Sequence, residues 1–272
     1  MRSSTIRLTS AARAAALFAA VAFVGACNSL TEREQFNDRF GAISISARNA
    51  STTQGRASAS MIVFDASSVS IPNSLLQQSD QCVYASVDTT TSTPRGQLRA
   101  GDAIAMTVGA QNLSLPFSST LVRYATPEAN PFTYTRGDEA TVTVPGEANG
   151  FPASNISVKL AEPIIPEPIP ALVSGQVLPI RWNGTNDSTA AIILSLRYAN
   201  PATSSYANEQ IYCALRDDGS VDIPVGGVAT LLASPANRRS MVLTRWRTSE
   251  KVLNETTLLH IVSTIDTTVA VP

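Results

Sequence analysis

The sequence predicts an all-β protein: two β-sandwich domains joined by a proline-rich linker and preceded by an export signal helix. Three observations carry that prediction. The chain is rich in Thr, Ser, Val, Ala and Ile, only 15% of it is charged, and 16 prolines punctuate it. Small and β-branched residues between turn formers favour short strands over long helices. Second, apolar and polar residues alternate, as in Ile43, Ile45 and Ala47 against Ser44, Ser46 and Arg48. A period of two turns one strand face to a core and the other to water. Third, Glu162 to Pro170 reads EPIIPEPIP, four prolines in nine residues. Proline fixes φ and donates no backbone hydrogen, so this stretch joins neither a central strand nor a helix.

The chain opens with Arg2, Arg7 and Arg13, and its first acid is Glu32. An uncharged apolar run, AAALFAAVAFVGA, follows from Ala14 to Ala26. As a helix it is roughly 20 Å long at about 1.5 Å per residue, too short for a hydrocarbon core of about 30 Å. Basic start, short apolar middle and small residues before a cleavage point form the pattern of a secretory signal over residues 1–26.

The run ends in Val24-Gly25-Ala26-Cys27. This tetrad resembles the lipobox of bacterial lipoproteins: a branched apolar residue, two small residues, then cysteine. The resemblance implies that the Cys27 sulfur receives a diacylglycerol, that the peptide is cut before Cys27, and that the new amino group is acylated. Such an anchor is firm, because one acyl chain binds a membrane only weakly and stable attachment takes at least two signals. The residue after Cys27 is Asn28 rather than Asp. By the same resemblance, that favours the outer membrane, with a periplasmic or surface-exposed body. The rival reading is an ordinary secreted protein with Cys27 in a disulfide.

Cleavage removes three arginines and no acid, leaving a mildly acidic chain. No Lys/Arg-rich run exists, which argues against a nucleic-acid partner. The polar residues of 27–38 read as a lipidated tether, followed by sandwich domain 1 (39–161), the proline-rich linker (162–171) and sandwich domain 2 (172–272). The alternative to a linker is an edge crossover inside one sandwich.

Candidate strands in the first domain begin at Phe40 and continue at Ala57–Phe64, Cys82–Asp88, Asp102–Gly109, Ser119–Tyr124, Glu139–Val144 and Asn155–Leu160. Pro72-Asn73, Pro94-Arg95-Gly96, Arg136-Gly137-Asp138 and Pro145-Gly146 separate them, and Leu75–Gln78 reads as one helical turn. The second domain offers Gly175–Trp182, Ala191–Tyr198, Gln210–Arg216, Ser220–Ile223, Arg239–Arg247, Thr257–Ile265 and Thr268–Val271, with a helical turn at Gly227–Ala233. Asp217-Asp218-Gly219 reads as a hairpin turn, since glycine takes positive φ at little cost. Alternation groups Leu178, Ile180 and Trp182 on one face, and Val242, Thr244 and Trp246 on another. Both tryptophans are therefore expected inside, with Arg245 and Arg247 in water.

Leu178 to Trp182, Ile211-Tyr212-Cys213, Asp217-Asp218-Gly219-Ser220 and Ile223-Pro224 resemble a pattern in bacterial lipoproteins that look like immunoglobulin- or fibronectin-type sandwiches. The resemblance implies an immunoglobulin-like second domain and carries no activity with it.

Little in the chain points to catalysis. His260 is the single histidine, in the apolar run Leu258 to Val262. A Ser-His-Asp site needs an acid such as Asp266 and a nucleophile elbow, and the sequence contains no GxSxG. Asp217, Asp218 and Asp222 are calcium-type oxygen donors, but their spacing is not that of an EF-hand loop and turn chemistry is expected of them. Cys82 and Cys213 either pair in an oxidising compartment or sit apart as buried thiols. No catalytic residue, metal site or cofactor is expected. The sequence reading is a non-catalytic structural or interaction protein of the envelope, with an unidentified protein or glycan partner. The alternatives are a module binding glycan or peptide and, behind that, a hydrolase.

Overall fold

A computed structural model describes residues 39–48, 54–63, 80–86, 96–127, 131–185, 187–200 and 207–272. The signal, the lipobox, the tether and the helical turn expected at Leu75–Gln78 lie outside the described residues.

The described residues are mostly strands, with one α-helix among them. Before the proline-rich stretch come β1 (Arg39–Arg48), β2 (Gln54–Val63), β3 (Gln81–Ser86), β4 (Ala103–Val108), β5 (Gln111–Ser118), β6 (Arg123–Ala125), β7 (Phe132–Thr133), β8 (Glu139–Val144) and β9 (Ser154–Lys159). After it come β10 (Leu178–Arg181), β11 (Ala190–Tyr198), β12 (Glu209–Arg216), β13 (Ser220–Ile223), the short helix α1 (Val225–Ala233), β14 (Ser240–Asn254) and β15 (Thr257–Ala270). The expected all-β class is what the structure shows.

Alternation works as the sequence indicates in most of these strands. Ile43, Ile45 and Ala47 of β1 are buried, as are Ala57, Ala59 and Met61 of β2. Strand β5 falls between the expected strands Asp102–Gly109 and Ser119–Tyr124 and carries Asn112 and Pro116, both poor strand formers. Phe117 N–H donates to the Asp102 carbonyl at 3.0 Å, so the neighbouring Pro116 nitrogen points away from β4, where its missing hydrogen leaves no ladder bond unmade. Residues 119–122, expected within a strand, are a turn instead.

The large sheet runs β3-β12-β11-β14-β15-β1-β2-β6-β5-β4-β8-β9, with β7 also on β2; β10 and β13 form a separate pair. Strands from both sides of residues 162–170 share this sheet. Thus β1 pairs in parallel with β15, Ile43 opposite Ile261, and β3 pairs with β12, Cys82 opposite Cys213. All described residues belong to one compact unit. The proline-rich stretch therefore does not divide two separately paired sheets.

The far end of the sheet comes back over its middle, with β9 lying against β14 and β15. One core fills the space between, including Ile43, Met61, Ile104, Val142, Phe151 and Ile261. Full burial of a large aliphatic or aromatic side chain contributes roughly 1.5–3 kcal/mol.

The Asp217-Asp218-Gly219 corner differs from the expected hairpin. Strand β12 pairs with β11 and β3, and β13 pairs with β10, so the corner moves the chain from one sheet to the other. Gly219 has φ +96°, and Gly184 packs so tightly on it that an added Cβ would meet Gly219 N at 2.6 Å and Asp218 C at 2.7 Å. Two glycines are thus needed where two backbones touch.

Candidate functional site

Strand β14 carries the main polar feature of the interior. Its inward face is set by Met241 and Leu243, both fully buried, so every second residue after them points inward too. Those residues are Arg245 and Arg247, 0% and 1% exposed. The expectation that the tryptophans turn in and the arginines turn out is wrong for β14: Trp246 is half-buried on the opposite face. Val242 and Trp246 made the wrong parity look apolar, and the deciding residues were Met241 and Leu243. Trp182 is buried as expected.

Two buried guanidinium groups are tolerable only if fully paired. The Arg245 Nε donates to Asp217 Oδ2 at 2.7 Å and its Nη2 to Asp217 Oδ1 at 3.1 Å, a two-pronged contact. The remaining N–H groups donate to the carbonyls of Glu162 (2.8 Å), Pro163 (2.9 Å) and Asn183 (2.6 Å). Asp217 also accepts from Trp182 Nε1 at 2.9 Å and Thr185 Oγ1 at 2.8 Å. All five donors of the guanidinium and about four lone-pair sites of the carboxylate are engaged.

Arg247 repeats the scheme one step along the strand. Its Nε and Nη2 grip Glu162 at 2.8 and 2.7 Å, while Nη1 donates to Asp187 Oδ2 at 2.8 Å and Thr189 Oγ1 at 2.9 Å. Lys159 Nζ adds a contact to Asp187 at 3.1 Å. Burial opposes the charge on Glu162, but hydrogen bonds and charge from Arg247 prevail and hold its pKa below the usual value. The Thr189 backbone and hydroxyl donors, with Arg247 and Lys159, hold Asp187 well below the carboxylate range. Arg247 is raised: burial opposes its charge, and Glu162 and Asp187 more than offset this. Tyr134, buried and near the Glu162 charge, is pushed above its ordinary value, and its hydroxyl donates to the Ala161 carbonyl at 3.1 Å.

These groups tie the proline-rich stretch down as a strap. Asn183 Oδ1 accepts from Ile165 N–H at 2.6 Å, its Nδ2 donates to the Pro163 carbonyl at 3.0 Å, and Pro166 bridges Trp182. Ile164 is buried beneath it while Ile165 faces out. The arrangement can hold four chain segments together: β14, the strap, residues 183–189 and the corner at Asp217. Its acceptors and donors are occupied within the protein, which leaves it poorly suited to proton transfer.

The other sequence candidates are distributed as follows. Cys82 and Cys213 are joined by a disulfide between β3 and β12. Val24, Gly25, Ala26 and Cys27 lie outside the described residues. The three aspartates do not converge: Asp217 is inside with Arg245, whereas Asp222 pairs with Arg181 at 2.8 Å. Among the described residues no group of three or more His, Cys, Asp and Glu is placed to hold a metal ion. His260 stacks on Phe40 with ring centres 6.4 Å apart, and burial lowers its pKa despite the partly opposing charge of Glu250. Asp266, its imagined partner, bonds Thr244 Oγ1 at 2.7 Å instead.

Glu162, Asp187, Arg245 and Arg247 were not singled out together. The only signal was a pair of arginines in an otherwise apolar alternating strand. Comparison with protein-family models, curated proteins and solved structures finds no match to this chain.

Proposed function

We propose that this chain is a bacterial lipoprotein, anchored through Cys27 to the outer membrane, whose β body serves a structural or interaction role without catalysis. The observation that carries this reading is the tetrad Val24-Gly25-Ala26-Cys27 at the end of a basic-then-apolar leader. The body is in keeping with it: the buried charges of Arg245, Arg247, Asp217 and Glu162 are spent on internal pairs. A disulfide between Cys82 and Cys213 suits an oxidising compartment outside the cytoplasm. The packing of β9 over β14 and β15 supports a sandwich arrangement. Trp182, buried with its Nε1 on Asp217, is unavailable for stacking a sugar.

The test is metabolic labelling with a clickable palmitate in a bacterium with two membranes, followed by density separation of the membranes. Label on the wild-type protein in the outer-membrane fraction, lost in Cys27→Ser, is the expected outcome. Equal label on Cys27→Ser, or an unlabelled protein in the soluble fraction, refutes the anchor.

A further inference from the structure

The direction of β1 fixes the end of the sheet at which this strand begins. Arg39, the first residue of β1, lies opposite Thr257 of β15 and Val63 of β2. The same end of the sheet carries the turn between β14 and β15. Two of its side chains are exposed apolar ones, Val63 at 46% and Val252 at 57%. The opposite end holds Ser240 beside Ala270, and there Arg239 donates to the Pro272 carbonyl at 2.7 Å.

Resting on the lipoprotein reading, we propose that the end bearing Arg39, Val63 and the β14–β15 turn faces the bilayer surface, and that the end bearing Ser240, Ala270 and Pro272 faces away. Chain length carries the inference. From Cys27 to Arg39 the backbone spans at most about 43 Å when fully extended, at about 3.6 Å per residue. Along β15, Thr257 to Ala270 measures roughly 43 Å at about 3.3 Å per residue. An upright body with its other end on the membrane would hold Arg39 at that height. The connecting chain would then be drawn out to its limit and lose its conformational freedom along its whole length. With the Arg39 end down, no such stretching is required.

Charge does not compete with this choice. At the anchored end Arg99 pairs with Asp102 at 2.7 Å and Glu147 at 3.4 Å, Arg39 donates to the Gly150 carbonyl at 2.6 Å, and Lys251 to Asn155 at 2.9 Å. Arg39 and Lys251 meet neutral oxygens and keep their charge, but Glu250 and Glu255 stand at the same end, so acids and bases are mixed there. The orientation, which comes from the chain and the exposed valines, should therefore not depend on anionic lipid.

The test uses the full lipidated protein in vesicles whose headgroups carry an energy-transfer acceptor. Donor dye is placed on Val252→Cys or, separately, on Ala270→Cys, both at exposed positions, without reductant so that the Cys82–Cys213 bond stays closed. Leu258 faces Val252 across the strands, and twelve residues from there put Ala270 roughly 40 Å further along β15. Transfer about two-fold or more higher from position 252, in phosphatidylcholine and in phosphatidylcholine with phosphatidylglycerol alike, is the expected result. Equal transfer from both positions, higher transfer from position 270, or a difference seen only with phosphatidylglycerol overturns the orientation while leaving the anchor standing. An intact mass without lipid on Cys27 overturns both.

Discussion

Replacing Arg245 with methionine tests the buried ion pair where its consequences are largest. Arg245→Met keeps an apolar stem of similar reach and removes five hydrogen bonds. Asp217, 3% exposed, is left with Trp182 and Thr185 as its donors and no countercharge. Breaking a buried pair by removing one partner costs about 3–5 kcal/mol. The carbonyls of Glu162, Pro163 and Asn183 lose donors as well; those that water reaches recover, and one left dry adds about 1–3 kcal/mol. We therefore expect a loss of about 5 kcal/mol, a large part of the roughly 5–15 kcal/mol that holds a domain folded. The double variant Arg245→Met/Asp217→Leu removes the stranded charge and should be more stable than the single arginine variant by about 2 kcal/mol or more, a coupling typical of residues in one network. Urea unfolding followed by tryptophan fluorescence measures both, since Trp182 Nε1 sits on Asp217. A single-variant loss below about 1 kcal/mol, or double-variant losses that simply add, would refute the pairing as the source of stability.

Other expectations follow from the same geometry. Gly184→Ala should destabilise by about 1–3 kcal/mol, because its Cβ meets backbone rather than a side-chain tip, and an unchanged urea midpoint would contradict the tight corner. Removing the disulfide by Cys82→Ala/Cys213→Ala should cost about 2–5 kcal/mol, given the 131-residue separation it closes; identical peptide masses with and without reductant would show that the bond is absent. Acid should destabilise the fold in two steps. The folded His260 pKa lies below 6.5, so the unfolded chain binds the proton first and stability falls as pH drops below 6.5. Glu162 and Asp187 are depressed below 4.5 and 3.8, so their stabilisation is complete above those values and is lost as pH falls through and below them. His260→Phe should abolish the upper step and leave the lower one, as read from unfolding midpoints between pH 7 and 3; an unaltered upper step would assign it elsewhere.

How much of this was legible in the sequence follows from what each signal depends on. Strands β8 and β13 were readable to the residue, because alternation and turn formers act locally and bracket them closely. Pairing between distant strands was not: nothing local says that β1 joins β15 in parallel or that β3 lies beside β12. The four prolines correctly excluded a regular strand, yet the sequence alone made them a linker. What makes them a strap is the burial of Glu162 and Ile164 and the grip of Arg245 and Arg247, all contacts made across the fold. The inward turn of those arginines was hidden for the same reason, since their countercharges sit about 30 to 85 residues away. Parity along β14 was the available clue, and Met241 with Leu243 outweighed Val242 with Trp246.

If the chain is anchored as proposed, its mature form begins at a lipid-bearing Cys27, and mass spectrometry of the N-terminal peptide from the membrane-extracted protein reads this without intermediaries. The expected peptide starts at Cys27 and carries both a diacylglyceryl thioether and an acylated amino group. A peptide that contains Cys27 without lipid, or a mature chain that begins at another residue, would contradict it.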